Sequence, residues 1–318
     1  MKIDGRSGIL KGEKMTKENT NRSTLKRREH WTAMAFISFK YVGFILFVFL
    51  PVIVSILYSF CNYNGAIETE PFFSRIGALW SGFDCYKELF TVYSVHFKRA
   101  VLNNLIFLIS VPLGIIVGLV IAGILSRPFI KGSNVFRLLI YMPVVASAVA
   151  MNIIWRYIFD NESGIINKVF GTELMWLTDG NLLRTAIIIK TVWGSIGKTM
   201  MLLLAAMLAI DSSYYEAATV DGAGEFKKFI KITFPLITPT VFYLLTTGVI
   251  GNLQMYTDSL IFAAGNHQAR TIVYFIWNYG IKSSLYGIAG AASTLLSLAI
   301  LILTVVQFKI SNSWVYEG

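Results

Sequence analysis

Charged side chains are scarce in this sequence. Only 14% of its 318 residues are Asp, Glu, Lys or Arg, whereas 55% are hydrophobic, and the mean hydropathy is +0.61. An ordinary soluble domain carries about 25% charged residues. The shortage of charge therefore excludes a soluble globular fold and predicts an all-α, polytopic membrane protein.

Residue types that bind metals are also few. The two cysteines, Cys61 and Cys85, lack the spacing of a metal site and cannot form a disulfide framework, so they form either one pair or two free thiols. The three histidines are scattered, and neither H-x-x-H nor H-E-x-x-H occurs. We predict no metal site in this chain.

A complete phosphate-binding loop is missing as well. The stretch "GSIGKT", Gly194 to Thr199, resembles the end of such a loop, but the motif requires a glycine where this chain has Val192. The stretch also lies inside an apolar run and not between a strand and a helix. We therefore expect this chain to bind no ATP or other cofactor and to have no enzymatic activity of its own.

The first thirty residues contain no signal sequence for secretion. They hold nine Lys or Arg residues against four Asp or Glu, and no early apolar segment with a small-residue cleavage site follows. Aromatic side chains that could stack on bases are absent from the segment, so nucleic-acid binding is not expected. We predict a cytosolic basic tail over residues 1–35.

Six apolar runs are each long enough to cross a hydrocarbon core of about 30 Å. They cover residues 36–60, 100–125, 136–159, 184–210, 240–262 and 287–308. Each run is predicted to be a helix, because backbone groups in lipid must be paired internally. Pro51, Pro112 and Pro143 lie inside runs and predict kinks.

The distribution of Lys and Arg between the loops predicts the orientation. With the N-terminus in the cytosol, sixteen basic residues lie on the cytosolic side and seven on the outer side. The chain is therefore expected to cross the cell membrane several times with both termini in the cytosol. Residues 36–310 form the membrane domain, and residues 311–318 form a short cytosolic tail.

This orientation places the polar stretch 211–239 in the cytosol. Ser213 and Glu216 have the spacing of a capping box, which predicts a short helix over residues 214–221. Gly222 supplies a left-handed stop for that helix. The helix is too short to be stable alone in water, so something must cover it.

A second short helix is expected over residues 224–232. Pro235 and Pro239 would then break the chain as it returns to the lipid.

The composition of the first short helix favours docking into a partner protein. A helix that lies among lipid headgroups has large apolar side chains and a basic polar face. This helix instead has Glu216 and Asp221, several small residues and no Lys or Arg.

The spacing of residues in this stretch resembles the EAA loop of ABC importer permeases. Glu216-Ala217-Ala218 is followed after three residues by Gly222 and, further on, by Ile232-x-Phe234-Pro235, which is similar to the pattern E-A-A-x3-G-x9-I-x-L-P. The resemblance is greatest to the carbohydrate branch, of the maltose and glycerol-phosphate type. It implies that the loop couples to an ATPase through Glu216, Ala217, Ala218, Asp221, Gly222 and Pro235.

The resemblance also implies a function and a set of partners. The chain would be the transmembrane subunit of an ATP-driven, binding-protein-dependent sugar importer. ATP would be bound by separate cytosolic ATP-binding subunits, a second homologous permease would complete the path, and an extracytoplasmic solute-binding protein would deliver the sugar. The alternative is a self-contained secondary carrier for a small polar solute, a class that often shows duplicated halves.

Polar residues inside the apolar runs are candidates for the translocation path. Lys198 falls near the middle of the bilayer, and the fifth run adds Asn252, Gln254, Tyr256 and Asp258. These side chains either contact the sugar or form structural hydrogen bonds between helices. Lys198 and Asp258 could also pair with each other.

Overall fold

The computed structural model describes residues 31–34, 36–63, 79–127, 132–262, 264 and 266–316. The predicted basic tail, residues 1–35, therefore lies outside the described residues except for its last few positions. The described residues fall into two units, one that ends at Leu57 and one that begins at Tyr58. The helix α1 runs over Trp31–Tyr58 and, apart from Tyr58, lies in the first unit.

The second unit contains thirteen α-helices among its described residues. These are α2 (Asp84–Phe90), α3 (Ser94–Phe107), α4 (Ser110–Leu125), α5 (Ser133–Val145), α6 (Ala148–Ile158), α7 (Ile165–Phe170), α8 (Gly180–Leu208), α9 (Ser212–Val220), α10 (Glu225–Lys228), α11 (Phe234–Leu253), α12 (Thr257–Phe262), α13 (Ile272–Trp277) and α14 (Tyr286–Ser311).

The structure confirms the all-α fold class. Over the described residues, one isolated antiparallel bridge between Cys61 and Trp80 is the only β-type pairing. Five helical segments are long and apolar enough to span a membrane, and the count becomes six if the pair α5 and α6 is one span. The five segments are Trp31–Tyr58, Ser94–Leu125, Gly180–Leu208, Glu225–Leu253 and Tyr286–Ser311.

The third predicted span is not a single helix. α5 and α6 meet at an angle of 101°. Pro143 lies inside α5, which ends at Val145, and Ala146 has an extended backbone. Because proline has no N–H to donate and crowds the preceding turn, it favours the end of the helix close to the predicted kink.

The limits of the fifth span differ from the predicted limits, 240–262. One apolar helical segment runs from Glu225 to Leu253, so the chain is not broken at Pro235 or Pro239. A π-helical turn over Phe229–Thr233 closes with a bond from the N–H of Phe234 to the carbonyl of Phe229. This wider turn relieves the clash that Pro235 would otherwise make with the carbonyl four residues earlier.

A hydroxyl group supports the continuity at Pro239, and α1 has a similar arrangement at Pro51. The Thr238 hydroxyl donates to the Pro235 carbonyl at 2.6 Å, the carbonyl that Pro239 cannot pair because it lacks an N–H. In α1 a π-helical turn over Ile45–Phe49 likewise comes immediately before Leu50 and Pro51. A π-helical turn therefore precedes both Pro51 and Pro235.

Helix α8 is at the centre of the second unit and packs closely on α4 and α5. A side chain at Gly114 would come within 2.3 Å of the Ser195 hydroxyl, and one at Gly118 within 2.6 Å of Thr199. A side chain at Gly197 would likewise come within 2.6 Å of the Ile140 carbonyl in α5. Small residues thus let the backbones approach, as is typical of helix packing in membranes.

Candidate functional site

Helix α9, which lies in the predicted coupling loop, begins with a cap other than the predicted one. Asp211 is the N-cap, and its carboxylate accepts from the Ser213 N–H at 2.8 Å. The predicted capping box of Ser213 and Glu216 is therefore wrong by two residues. Asp211 takes the position because an ionised carboxylate is a stronger acceptor and favours the positive end of the helix dipole.

The predicted stop at Gly222 is confirmed. Gly222 has φ +69°, in the left-handed region. The Ala223 N–H donates to the Ala218 carbonyl at 2.9 Å, and the Gly222 N–H donates to Thr219 at 3.0 Å. These two bonds form a Schellman motif, so the end of α9 has one defined conformation.

Helix α9 is fixed to the start of the fifth span. The hydroxyls of Tyr215 and Thr233 are 2.8 Å apart. Lys228 of α10 pairs with Glu225 at 3.2 Å, within the same short helix. The Tyr215–Thr233 contact therefore links α9 to the segment that continues into α11.

The outer face of α9 is not covered by any residue that the structure describes. Glu216, Ala217 and Asp221 are exposed, and Glu216 makes no hydrogen bond or ion pair with a described residue. Two large apolar side chains lie beside them, Val220 at 89% exposure and Phe226 at 77%. The sequence analysis did not include these two residues. Large apolar residues in an otherwise polar stretch nevertheless indicate an interface when the stretch does not have the pattern of a lipid-facing helix.

A groove with polar and apolar side chains in its wall lies between α4, α8 and α11 and has about 680 Å³ of empty space. Its polar lining consists of Ser110, Thr191, Ser195, Thr199, Thr247, Asn252 and Asp258. Hydroxyl groups predominate, and these can both donate and accept hydrogen bonds. The groove can therefore interact with a polar, uncharged solute.

Asp258 pairs with Lys190 and not with Lys198. The two side chains form an ion pair in which Lys190 is 12% exposed and Asp258 is 18% exposed. Lys190 and Lys198 are eight residues apart on α8, so only the former reaches α12. Sequence reasoning passed over Lys190, although any ionisable residue inside an apolar run is a functional candidate.

The remaining predicted path residues lie in separate places. Lys198 is exposed on α8, between Gly197 and Thr199, which face the neighbouring helices. Gln254 is exposed and Tyr256 is half-buried in the break after α11, with the Tyr256 ring 5.8 Å from Trp277. The structure brings together only Asn252 and Asp258 in the groove.

Asn252 also joins two helices. Its amide nitrogen donates to the Phe107 carbonyl at 3.1 Å and to the Ser110 hydroxyl at 2.9 Å. Its buried side-chain oxygen has no hydrogen-bond partner among the described residues. The amide nitrogen is thus structural, and the oxygen is free to accept one further bond.

These features define an all-helical membrane protein with a groove between apolar helices and a short helix, α9, whose outer face is exposed among the described residues. A family model described as "binding-protein-dependent transport system inner membrane component" matches residues 110–315. The chain belongs to this family, and is therefore a component of a transport system and not an enzyme.

Curated relatives extend over nearly the whole chain. The probable ABC transporter permease protein YesP of Bacillus subtilis is 30% identical over 300 residues, which is 91% of this chain and 93% of YesP. The lactose transport system permease protein LacF of Rhizobium radiobacter is 27% identical and covers 91% of this chain and 97% of LacF.

The fold is similar to that of a solved structure. A chain of a bacterial ABC transporter involved in the import of the acidic polysaccharide alginate superposes with a TM-score of 0.78 at 23% identity. The match covers 92% of this chain and 99% of that one.

Proposed function

We propose that this chain is the transmembrane subunit of an ATP-driven, binding-protein-dependent sugar importer. The observation that carries the proposal is α9, an uncovered helix with defined ends that is tied to a membrane-spanning helix. The printed name of LacF, a lactose transport permease, supports a carbohydrate as the solute.

The coupling step follows from the contacts of α9. A cytosolic ATP-binding subunit covers the exposed face formed by Glu216, Ala217, Val220 and Asp221, with ATP held by that subunit. Closure of two such subunits on ATP displaces α9. The Tyr215–Thr233 bond at 2.8 Å then passes the displacement to the helical segment that ends at Leu253 beside the groove.

Further residues of the predicted coupling set shape this interface. Ala218 accepts the bond that closes the Schellman motif, and Gly222 provides the left-handed turn. Pro235 is placed at the start of α11 by the π-helical turn before it. Their role in coupling is to hold the docking surface and its link to the membrane in one geometry.

The path itself requires a second, homologous permease, and a solute-binding protein delivers the sugar at the outer side. We assign Asn252 and Asp258 to the wall of the path, with Gln254 and Tyr256 at its edge. An exposed ammonium at the depth of Lys198 must face a partner helix or water, because lipid would not solvate it. We therefore place Lys198 on the side that faces the second permease.

Orientation and domain limits follow from this assignment. Since α9 must reach a cytosolic ATPase, the N-terminus and the C-terminus lie in the cytosol and residues 36–310 form the permease domain, with residues 211–239 as its coupling loop. Residues 311–318 are then a cytosolic tail, in which the Tyr316 N–H donates to the Thr238 hydroxyl at 2.9 Å.

The test is ATP-driven sugar uptake by the assembled importer in proteoliposomes. Glu216→Lys places a cation on the docking face and is expected to abolish uptake while leaving membrane insertion unchanged. Glu173→Lys is the matched control, because Glu173 is an exposed acid in the outer loop between α7 and α8. Normal uptake by the Glu216→Lys variant would refute the coupling role.

The same preparation separates an importer from a secondary carrier. An ATP-driven importer continues when the proton gradient is collapsed, provided ATP is maintained, whereas a proton-coupled carrier stops.

A further inference from the structure

A second site lies at the other end of the unit from α9. The space beneath α9 is lined by Gly123 and Ser126, at the C-terminal end of the α3–α4 segment. The N-terminal end of the same segment, around Arg99, borders a narrow cleft with about 320 Å³ of empty space. This cleft is lined by His96, Arg99, Ala100, His267, Arg270, Tyr274, Phe275, Asn278 and Tyr279.

The narrow cleft collects cationic groups without a counter-charge. None of its lining residues is Asp or Glu. The three ion pairs among the described residues involve neither Arg99 nor Arg270. The Arg270 guanidinium lies over the Tyr274 ring, 4.9 Å from its centroid, and its buried Nε has no hydrogen-bond partner in the described part of the chain.

Two guanidinium groups line this cleft, and Arg99 is exposed. A bound anion would offset their like charges. Arginine suits a carboxylate in particular, because its fork of donors matches the two oxygens.

The position of these groups is fixed by neighbouring amides. The Asn103 amide nitrogen donates to the Arg270 carbonyl at 2.8 Å, and its oxygen accepts from Arg184 Nε at 2.8 Å. The adjacent Asn104 accepts from the Ile272 N–H at 2.8 Å. The loop that carries Arg270 is therefore held against α3, and the cleft is preformed.

A wider polar cleft of about 1,100 Å³ adjoins the narrow one and shares Arg99 and His267 with it. Its other lining residues are Arg156, Asp160, Asn161, Leu177, Thr178, Ala264, Asn266 and Gln268. The one carboxylate, Asp160, is engaged in its own turn, where it accepts from the Ser163 N–H and hydroxyl, both at 2.8 Å. The amides of Asn161 and Asn266 already bond to Thr178 and to nearby backbone groups. The exposed amide of Gln268 is therefore the one that can offer a donor and an acceptor to sugar hydroxyl groups.

We propose that these two clefts receive an acidic oligosaccharide, with a carboxylate between Arg99 and Arg270 and sugar hydroxyls at Gln268. This inference rests on the proposed function and narrows its substrate class. The two clefts share Arg99 and His267, so a sugar ring in the wider cleft can present its carboxylate to the narrow one.

An acidic surface of the solute-binding protein would be the other possible source of a carboxylate. The core of a protein interface contains large apolar or aromatic anchors. The wider cleft has a single apolar side chain of that size, Leu177. Its lining therefore favours the saccharide.

The test is a binding titration of trigalacturonate, an acidic trisaccharide, to the purified importer in nanodiscs without ATP or binding protein. The wild-type complex is expected to bind trigalacturonate and not its carboxyl-reduced, neutral counterpart. Arg99→Gln and Arg270→Gln should each weaken binding about tenfold, since a charge-assisted hydrogen bond contributes about 1.4 kcal/mol or more. Lys98→Gln is the matched control, because Lys98 is exposed beside Arg99 and lines neither cleft.

Four results would overturn the proposal. The first is equal binding of the acidic and neutral trisaccharides, and the second is full displacement of trigalacturonate by an equal concentration of sulfate. The third is unchanged binding of trigalacturonate in both arginine variants. The fourth is that the importer binds no trisaccharide while the arginine variants lose docking of the binding protein. The first comparison needs only the wild-type complex, so it does not depend on the folding of a variant. ATP-driven uptake of a neutral sugar, measured separately, shows whether the proposed function stands when this inference fails.

Discussion

Removing both members of the Lys190–Asp258 pair should cost less than the sum of the two single removals. The two groups are 12% and 18% exposed, Asp258 lines the groove, and no other ion pair among the described residues includes either of them. Asp258→Asn leaves an unpaired ammonium and Lys190→Met leaves an unpaired carboxylate. The double substitution leaves neither charge.

The size of the effect follows from the burial. Breaking a fully buried pair costs about 3–5 kcal/mol, because the remaining charge loses its partner without regaining water. The residual exposure of both groups reduces this to roughly 2–4 kcal/mol. In the double variant the loss should be smaller than the sum of the single losses by about 1–3 kcal/mol.

The assay is a double-mutant cycle on the thermal unfolding midpoint of the purified chain in detergent. Each single variant should lower the midpoint by several degrees, at about 2–4 °C per kcal/mol. Lys168→Met, which removes an exposed lysine from α7, should leave the midpoint nearly unchanged. Additive losses in the double variant would refute the reasoning, because they would mean that the two charges do not stabilise each other.

Two further predictions concern the coupling helix and the outer cleft. Gly222→Ala places a Cβ in the left-handed region, where the strain is about 1–2 kcal/mol, and should lower ATP-driven uptake. Gly224→Ala is the control and should not lower uptake, because Gly224 has φ −69°. Equal uptake by the two variants would contradict the role of the turn. Burial, followed by the charges of Arg270, His96 and Arg99, lowers the pKa of His267, so the imidazole is neutral at pH 7. Because a bound carboxylate favours the protonated ring, trigalacturonate should bind several-fold more tightly at pH 5.5 than at pH 7.5, and His267→Gln should remove most of that difference; a wild-type affinity that stays constant over this range would contradict it.

Local sequence signals were sufficient for the features that depend on neighbours along the chain. The left-handed turn at Gly222 follows from composition and spacing, since it requires no distant partner. The limits of α8 do not, since the helix begins four residues before the predicted run 184–210 and ends two residues before the end of that run. The N-cap was placed two residues late because Ser213 and Asp211 are both good caps, and the choice depends on where the preceding helix α8 ends.

Proline gave a weaker signal than expected. Pro143 does mark a sharp bend, but Pro235 and Pro239 lie within a continuous helical segment. The difference comes from the acceptors and turns nearby, namely the π-helical turn before Pro235 and the Thr238 hydroxyl at the Pro235 carbonyl. A rule for single residues does not include such compensation.

The sequence by itself determined the class of this protein, because scarce charge, apolar runs of membrane length and the spacing after Glu216 are all properties of the linear chain. Tertiary structure alone decided which charges meet. Lys190 and Lys198 are equally plausible partners of Asp258 on the linear chain, and Arg99 and Arg270 are far apart in it. Only the packing of α3, α8 and α12 brings specific side chains together, since contact depends on the helix faces that neighbouring elements cover.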